Sequence, residues 1–525
     1  MMNFLSNLIY QTSTVKKTYR HWFIPASGFN TPTLVSHIKA LFLVNTSGIA
    51  PRLFTLCCFF IGNFSNAQHT KEDSNRPNII LIMADDLGWG DVGFNGNKII
   101  KTPHLDQLAS KGIVFNRFYA AAPVCSPTRA SCLTGRNPFR QGIYTANVGH
   151  LKTEEITLSE ILKKEGYKTG MFGKWHLGTL TTKEKDANRG IPGKTDHYST
   201  PDMHGFDEYF VTESKIPTHN PLIYPESFDE AKGESWRYGW SAIENKQNSK
   251  PYGTSYWTGK EQKAPSSEVK GENTKLIIDK AIPFMQKAIT KQAPFFTVLW
   301  IHTPHLPVVT DKKNRNLYKD YNHQEQLYFG SITAMDTQIG RIQQFLKEQG
   351  IADNTMIWFS SDNGPEVRTP ASAGIYRGKK RDLYEGGLRV PAFCVWPNKI
   401  SPKKVTNVAA VTSDYLPTIT AMLNIKKLPN ILLDGINLDN IIKGKQTQRN
   451  SPIGFQYPNR MSWVTDTHKL IQNKANTAFE LFNIEKDPTE QNNIIKEHPE
   501  LVNKLKGELF EWIESCKKSE KGLDY

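Results

Sequence analysis

Asn78-Ile79-Ile80-Leu81-Ile82-Met83-Ala84 runs straight into Asp85-Asp86. Seven uncharged, mostly apolar residues have the length of a strand, and they lack the polar alternation that a strand with one wet face would show. The pattern recurs three times. Tyr167 to Phe172 leads into Gly173-Lys174-Trp175-His176, Phe295 to Ile301 into His302-Thr303-Pro304-His305, and Met356 to Ser361 into Asp362-Asn363-Gly364. Helix-like segments lie between them; one opens with the capping box Thr157-Leu158-Ser159-Glu160 and closes at Gly166. Buried strands alternating with helices predict an α/β fold built on a large, doubly wound mixed sheet flanked by helices. Ligands of such sheets bind beyond the carboxyl ends of the strands, where all four polar clusters fall.

The rest of the chain is organised around this core. From about Thr181 to Gly271 periodicity fades while Gly, Pro and aromatics accumulate, so 181–271 reads as substrate-facing insertions within a catalytic domain spanning 76–444. Beyond it, 445–525 carries short strand-like pieces and a final helix from Glu500 to Cys516, predicting a smaller C-terminal α+β subdomain with a short antiparallel sheet. Residues 1–67 hold five basic residues and no acidic one. Arg52, the apolar stretch Leu53 to Phe64 and Ser65-Asn66-Ala67 read as a leader with a signal peptide, and predict export to the periplasm or beyond. The apolar stretch is too short for a membrane span. Net charge is +14; a basic chain suits an anionic polymer, whether a sulfated polysaccharide or a nucleic acid, and composition alone does not choose between them, although the absence of a nucleic-acid-binding motif favours the polysaccharide. Beyond the leader only Cys125, Cys132, Cys394 and Cys516 remain, too few for a disulfide scaffold in a chain of this length.

Asp85, Asp86, Asp362 and Asn363 put hard oxygen donors at two strand ends, a set suited to Ca²⁺ or Mg²⁺. Adjacent carboxylates repel unless a cation neutralises them. Taken singly, Asp85-Asp86 also reads as a helix cap and Asp362-Asn363-Gly364 as a turn.

Four further strings narrow the reading: Cys125-Ser126-Pro127-Thr128-Arg129 followed by Leu133-Thr134-Gly135-Arg136; Gly173-Lys174-Trp175-His176; His302-Thr303-Pro304-His305-Leu306-Pro307; and Arg377-Gly378-Lys379-Lys380 with Glu385-Gly386-Gly387-Leu388-Arg389-Val390-Pro391. Ser126 can cap a helix whose first turn tolerates Pro127, so position 125 is expected at a helix N-terminus, where N–H groups attract an anion. Together these strings resemble the type I formylglycine-dependent sulfatases, the arylsulfatase-like family of the alkaline phosphatase superfamily, and bacterial polysaccharide sulfatases within it. The likeness runs from about Arg76 to Asn493, with Thr128 where the family more often has Ser.

The resemblance implies that a maturation enzyme oxidises Cys125 to formylglycine (3-oxoalanine), whose hydrate attacks sulfur. It implies a divalent cation, commonly Ca²⁺, held by Asp85, Asp86, Asp362, Asn363 and position 125. Arg129 would assist the nucleophile, Lys174 and Lys380 would bind sulfate oxygens, with Lys379 a neighbouring alternative to Lys380. His176 would take a proton as sulfate leaves, and His305 would protonate the departing alcohol. His302 reads equally as a substrate contact or a core histidine. A phosphodiesterase or phosphonate hydrolase using the same aldehyde, and a sugar-binding protein with a vestigial site, are the competing readings. Trp236, Tyr238 and Trp240 alternate and could present one aromatic strand face to a sugar, with Lys215 and His219 meeting a second anionic substituent. An algal polymer such as ulvan or a sulfated galactan is the favoured substrate, a glycosaminoglycan the alternative.

Overall fold

The computed structural model describes residues 76–524 apart from 244, 245, 427 and 429; the expected leader lies outside the described residues. Six strands form the middle of a ten-stranded sheet: β1 (Asn78–Ala84), β2 (Lys168–Lys174), β3 (Glu208–Thr212), β4 (Phe295–Trp300), β5 (Thr355–Ser361) and β6 (Phe393–Val395). They lie in the order β3-β2-β4-β1-β5-β6. The first five run parallel and β6 pairs antiparallel with β5, so the sheet is mixed as expected. Every residue of β1 is buried. Ile80, Ile82 and Ala84 face one core and Ile79, Leu81 and Met83 the other; a strand buried on both faces needs apolar groups at every position.

Helices α1 (Cys125–Thr134), α2 (Asn273–Thr290), α3 (His323–Glu348) and α4 (Pro499–Glu520) do most of the covering. Ile277 and Phe284 of α2 join Ile332 and Met335 of α3 in the core of Ile80. Ala130, Cys132 and Leu133 of α1 belong to the opposite core. The register sets the strand ends abreast: Trp300 of β4 lies opposite Met83 and Gly173, and Ser361 of β5 opposite Ala84. Four separate polar strings thereby reach one rim.

Strands β7 (Ile453–Tyr457), β8 (Arg460–Val464), β9 (His468–Gln472) and β10 (Glu480–Asn483) form an antiparallel sheet in chain order. Its two faces are distinct. Trp463, Leu470 and Leu481 pack on Leu505 and Leu509 of α4, while Phe455, Ile471 and Phe482 pack with Tyr119, Leu383 and Leu388.

Within 181–271, Trp257–Gly259 joins the edge of the large sheet beside β3, Ile223–Pro225 pairs with Ser249–Pro251, and Gly239–Ser241 pairs with Val308–Thr310. The expected aromatic strand face does not form. The strand holds only Gly239–Ser241; Tyr238 and Trp240 are 6% and 1% exposed, whereas Trp236 is 59% exposed. Tyr238 instead donates its hydroxyl to the Gln324 carbonyl, tying the insertion to α3. All four described cysteines are free thiols and buried.

Candidate active site

Cys125 is the first residue of α1, a helix with all ten residues buried. Ser126 does not cap it. Val124 precedes the helix without a side-chain bond, and Ser126, already inside the first turn, donates to the His176 carbonyl at 2.6 Å. The other polar groups of α1 are tied down too. Thr128 donates to the Ala122 carbonyl, and Ser131 to the Thr128 carbonyl. Arg129 reaches Asp362 Oδ2 at 2.6 Å and the Lys174 carbonyl at 3.2 Å, its guanidinium 5.2 Å from the centre of the Trp300 ring. These bonds fix α1 against β2, β4 and β5, and with it the position of Cys125 Sγ.

Around that sulfur the charges alternate. Lys380 Nζ lies 3.7 Å from Sγ and 2.5 and 2.7 Å from the two oxygens of Asp86. Lys174 Nζ donates to Asp85 Oδ2 at 2.6 Å. The Asp86 N–H donates to Asp362 Oδ1 at 3.1 Å, and Asn363 Nδ2 to Asp86 Oδ1 at 2.7 Å. Burial works to raise the Asp86 carboxyl, but Lys380, His305 and Asn363 outweigh it and hold it well below the ordinary range. Asp362 goes the other way, pushed up to about 6 by burial and by Asp85 against the pull of Arg129. Burial also pushes the Cys125 thiol up to about 12 despite Lys174 and Lys380.

The donor set fits a divalent cation. Asp85 Oδ1 and Asn363 Oδ1 are buried with no hydrogen-bond partner. Asp85, Asp86, Cys125 and His305 each offer a ligand atom, all within 4.8 Å of one another. An unpaired carboxylate oxygen and an unpaired amide oxygen in so dry a place are costly unless a cation meets them. Two backbone positions carry strain: Asp86 and His176 have φ of +65° and +57°, a conformation non-glycine residues reach at a cost of ~1–3 kcal/mol.

Three histidines lie in this field. His305 Nε2 is 3.5 Å from Asp86 Oδ2. Its Nδ1 faces the Leu306 carbonyl at 2.6 Å, so Nδ1 carries the hydrogen and Nε2 is the proton-exchanging atom. His176 has neither ring nitrogen hydrogen-bonded; burial, then Lys174, Arg189 and Arg129, hold it neutral far below the usual histidine range. His302 is 0% exposed and its Nε2 bonds the Thr212 hydroxyl at 2.8 Å. Its Nδ1 is buried without a hydrogen-bond partner, and the Tyr256 ring stands 6.1 Å away, centre to centre.

The structure thus brings together Asp85, Asp86, Cys125, Arg129, Lys174, His176, His305, Asp362, Asn363 and Lys380. Lys380 rather than Lys379 faces the sulfur; Lys379 donates to the Ala371 carbonyl. The Glu385-Gly386-Gly387 string is a scaffold for this placement. A Cβ on Gly386 would lie 2.2 Å from the Gly378 carbonyl oxygen, so only glycine lets the Lys380 loop pack backbone against backbone. Lys215 borders the cluster, its ammonium held down by burial and by Lys174, Arg368 and Lys380. His219 does not: it lines a small separate cavity with Thr218, Val309 and Asp311, and Asp311 is its charged neighbour. Arg189 is an addition to the expected set. Nearly buried, it donates to Ser126 Oγ at 3.2 Å and pairs with Glu213 at 2.8 Å, and its place in an aperiodic stretch gave no sign of this.

A family model described as Sulfatase matches residues 77–425, and one described as N-sulphoglucosamine sulphohydrolase, C-terminal, matches residues 374–515. N-acetylgalactosamine-6-sulfatase of Mus musculus is 31% identical, covering 74% of this chain and 70% of its own length. Arylsulfatase A of Bos taurus is 32% identical over 71% of this chain and 68% of its own. Among solved structures, Ps i-CgsB superposes with a TM-score of 0.67 at 29% identity, covering 83% of this chain and 93% of that one. It has also been solved in complex with k-i-k-neocarrahexaose. A protein described under the metabolism of multiple glycosaminoglycans by Bacteroides thetaiotaomicron gives 0.65 at 27% identity, over 84% and 99%.

Proposed function

The chain belongs to the sulfatase family and is a sulfuric ester hydrolase, and from that footing we propose that it desulfates sulfated carbohydrate after Cys125 has been converted to formylglycine. The substrate is an algal polysaccharide such as ulvan or a sulfated galactan, or oligosaccharides of one. The observation that carries this is the placement of Cys125, at a helix start between two lysines and a cation-suited set of oxygens. Burial pushes the unmodified thiol up, and a protonated thiol is a poor nucleophile, in keeping with a nucleophile other than the thiol at this position. The complex of Ps i-CgsB with a sugar hexamer supports a carbohydrate substrate.

Formylglycine, when hydrated, supplies the attacking oxygen, and a bound Ca²⁺ or Mg²⁺ supplies positive charge beside it and beside the sulfuryl group. Asp85, Asp86, Asp362 and Asn363 would hold that cation. Arg129 keeps Asp362 oriented and adds charge under position 125. Lys174 and Lys380 bind sulfuryl oxygens and stabilise the charge that builds on them. His305 Nε2, once it has taken up a proton beside the negative charge of Asp86, delivers that proton to the departing sugar oxygen. His176, unpartnered and neutral, accepts the proton that position 125 gives up as sulfate is expelled. Export through a leader and maturation by a formylglycine-generating enzyme belong to the same reading.

A glycosaminoglycan substrate is the second reading, favoured by the match of residues 374–515 to the N-sulphoglucosamine sulphohydrolase C-terminal model and by the N-acetylgalactosamine-6-sulfatases. Protein from a host with the maturation enzyme tests both. The peptide holding Cys125 should show the mass of an aldehyde, and a panel of algal and glycosaminoglycan oligosaccharides should identify which releases sulfate. Chelation should lower release and Ca²⁺ should restore it. Turnover of aryl sulfates alone, with no oligosaccharide in the panel cleaved, would refute the carbohydrate assignment.

A further inference from the structure

Lys215, which borders the reacting cluster, also lines a cavity of about 450 Å³, within the ~300–1,000 Å³ range of small-molecule sites. Two stretches of chain connect it to the reacting centre. One is the exit of β3: Thr212 pairs with Lys174, and Ser214 and Lys215, two and three residues on, line the cavity. The other is Asn188, also lining it, next to the Arg189 that donates to Ser126 Oγ. Asn188 closes the ring by donating to Ser214 Oγ at 2.8 Å.

The walls are of two kinds. Trp236, Tyr224 and Tyr252 supply flat apolar faces, and Trp236 stands 59% exposed, with the Arg237 guanidinium 5.5 Å from its ring centre. An exposed tryptophan loses water readily to an apolar sugar face. The polar element is Lys215. It makes no hydrogen bond or ion pair with a described residue, although it is half-buried and lies in the field of Lys174, Arg368 and Lys380, which outweighs the opposing charge of Glu366. An unpaired ammonium in a positive field is a place prepared for an anion.

Resting on the sulfatase reading, we propose that this cavity is a subsite for the sugar ring adjoining the sulfated one, a ring that stacks on Trp236 and carries its own anionic group against Lys215. A second sulfate and a uronate carboxylate offer the same charge at that point. The subsite makes the protein selective for substrates with negative charge on two neighbouring rings.

The test uses matured full-length protein, 4-nitrophenyl sulfate, and three kinds of sulfated disaccharide, whose second ring is neutral, sulfated or a uronate. Trp236→Ala should lower kcat/KM for the disaccharides about tenfold relative to that for the aryl sulfate, chiefly through KM, because a remote contact stabilises ground and transition states alike. Lys215→Met should erase the preference for anionic over neutral second rings, and whichever anion loses more identifies the natural group. Equal losses on aryl sulfate and disaccharide, or no change in either ratio, would overturn the subsite. A wild-type protein that releases sulfate from none of the four would instead overturn the sulfatase reading, and the subsite with it. Trp236 is exposed, so its truncation leaves the fold intact, and matching thermal unfolding of the variant checks this.

Discussion

On the proposed function Lys380 serves structure and chemistry at once. It is 5% exposed and neutralises Asp86, itself 2% exposed, while lying 3.7 Å from the sulfur of Cys125. Lys380→Met leaves a buried carboxylate unpaired, which costs ~3–5 kcal/mol, and removes a sulfuryl-oxygen partner, which costs ~10²–10³-fold in turnover. Urea unfolding in the presence of chelator reads the first, since Ca²⁺ would replace part of the lost charge; initial rates of sulfate release read the second. Stability unchanged in chelator would show that Asp86 is neutral in the fold. At this scale the sequence was readable where the chemistry sits in short strings such as Gly173-Lys174-Trp175-His176, whereas Asp85-Asp86, a helix cap when read singly, gains its meaning only beside Asp362-Asn363. Ser126, His219 and Arg189 were not readable. Ser126 looks like a cap by type but is placed by the His176 carbonyl. His219 follows Lys215 by four residues, yet it lines a separate small cavity with Glu272 and Asp311. Arg189 acquires a role only when folding brings it to Ser126, 63 residues away.

At the level of elements, the site depends on how closely β2 and β4 approach at their carboxyl ends. Gly173 has φ +108°, and a Cβ there would lie 1.9 Å from the Trp300 carbonyl oxygen. Gly173→Ala must therefore push Lys174 and His176 away from Asp85 and Cys125, and displacement by about 1 Å lowers turnover ~10²-fold. A measured kcat within a few-fold of wild type would mean that the strand ends yield without moving the site. The C-terminal sheet is held differently. Lys469 on β9 is 0% exposed and sits 3.0 Å from Glu385 and 2.9 Å from Glu490. Lys469→Met leaves those carboxylates facing each other, and the urea midpoint should fall by the equivalent of ~3–5 kcal/mol. Both sheets were legible because their apolar stretches are distinct: unbroken runs for β1, β4 and β5, and short pieces such as Leu470-Ile471 of β9, which face opposite layers. The insertions were not, since Gly239–Ser241 is a strand only by virtue of Val308–Thr310, some 70 residues on.

For the whole molecule, Asp91 joins three distant parts of the chain. It accepts hydrogen bonds from the Gly88 and Ser372 N–H groups and from the Tyr328 hydroxyl of α3, and burial pushes its carboxyl from the ordinary 3.8 up to about 7. Between these values the folded protein keeps a proton that the unfolded chain has released. This contribution to stability is full below the unfolded value and is lost as pH rises through about 7. Compared with Asp91→Asn, the wild type should lose stability between pH 5 and 7 at up to ~1.4 kcal/mol per unit, whatever the absolute effect of the substitution; parallel urea curves for the two would remove the proton from Asp91. The account as a whole turns on position 125, and the most direct measurement is sulfate release by Cys125→Ala beside matured wild type on one cleaved oligosaccharide. Turnover should fall by ~10³-fold or more with unchanged thermal unfolding. Release within a few-fold of wild type would contradict it.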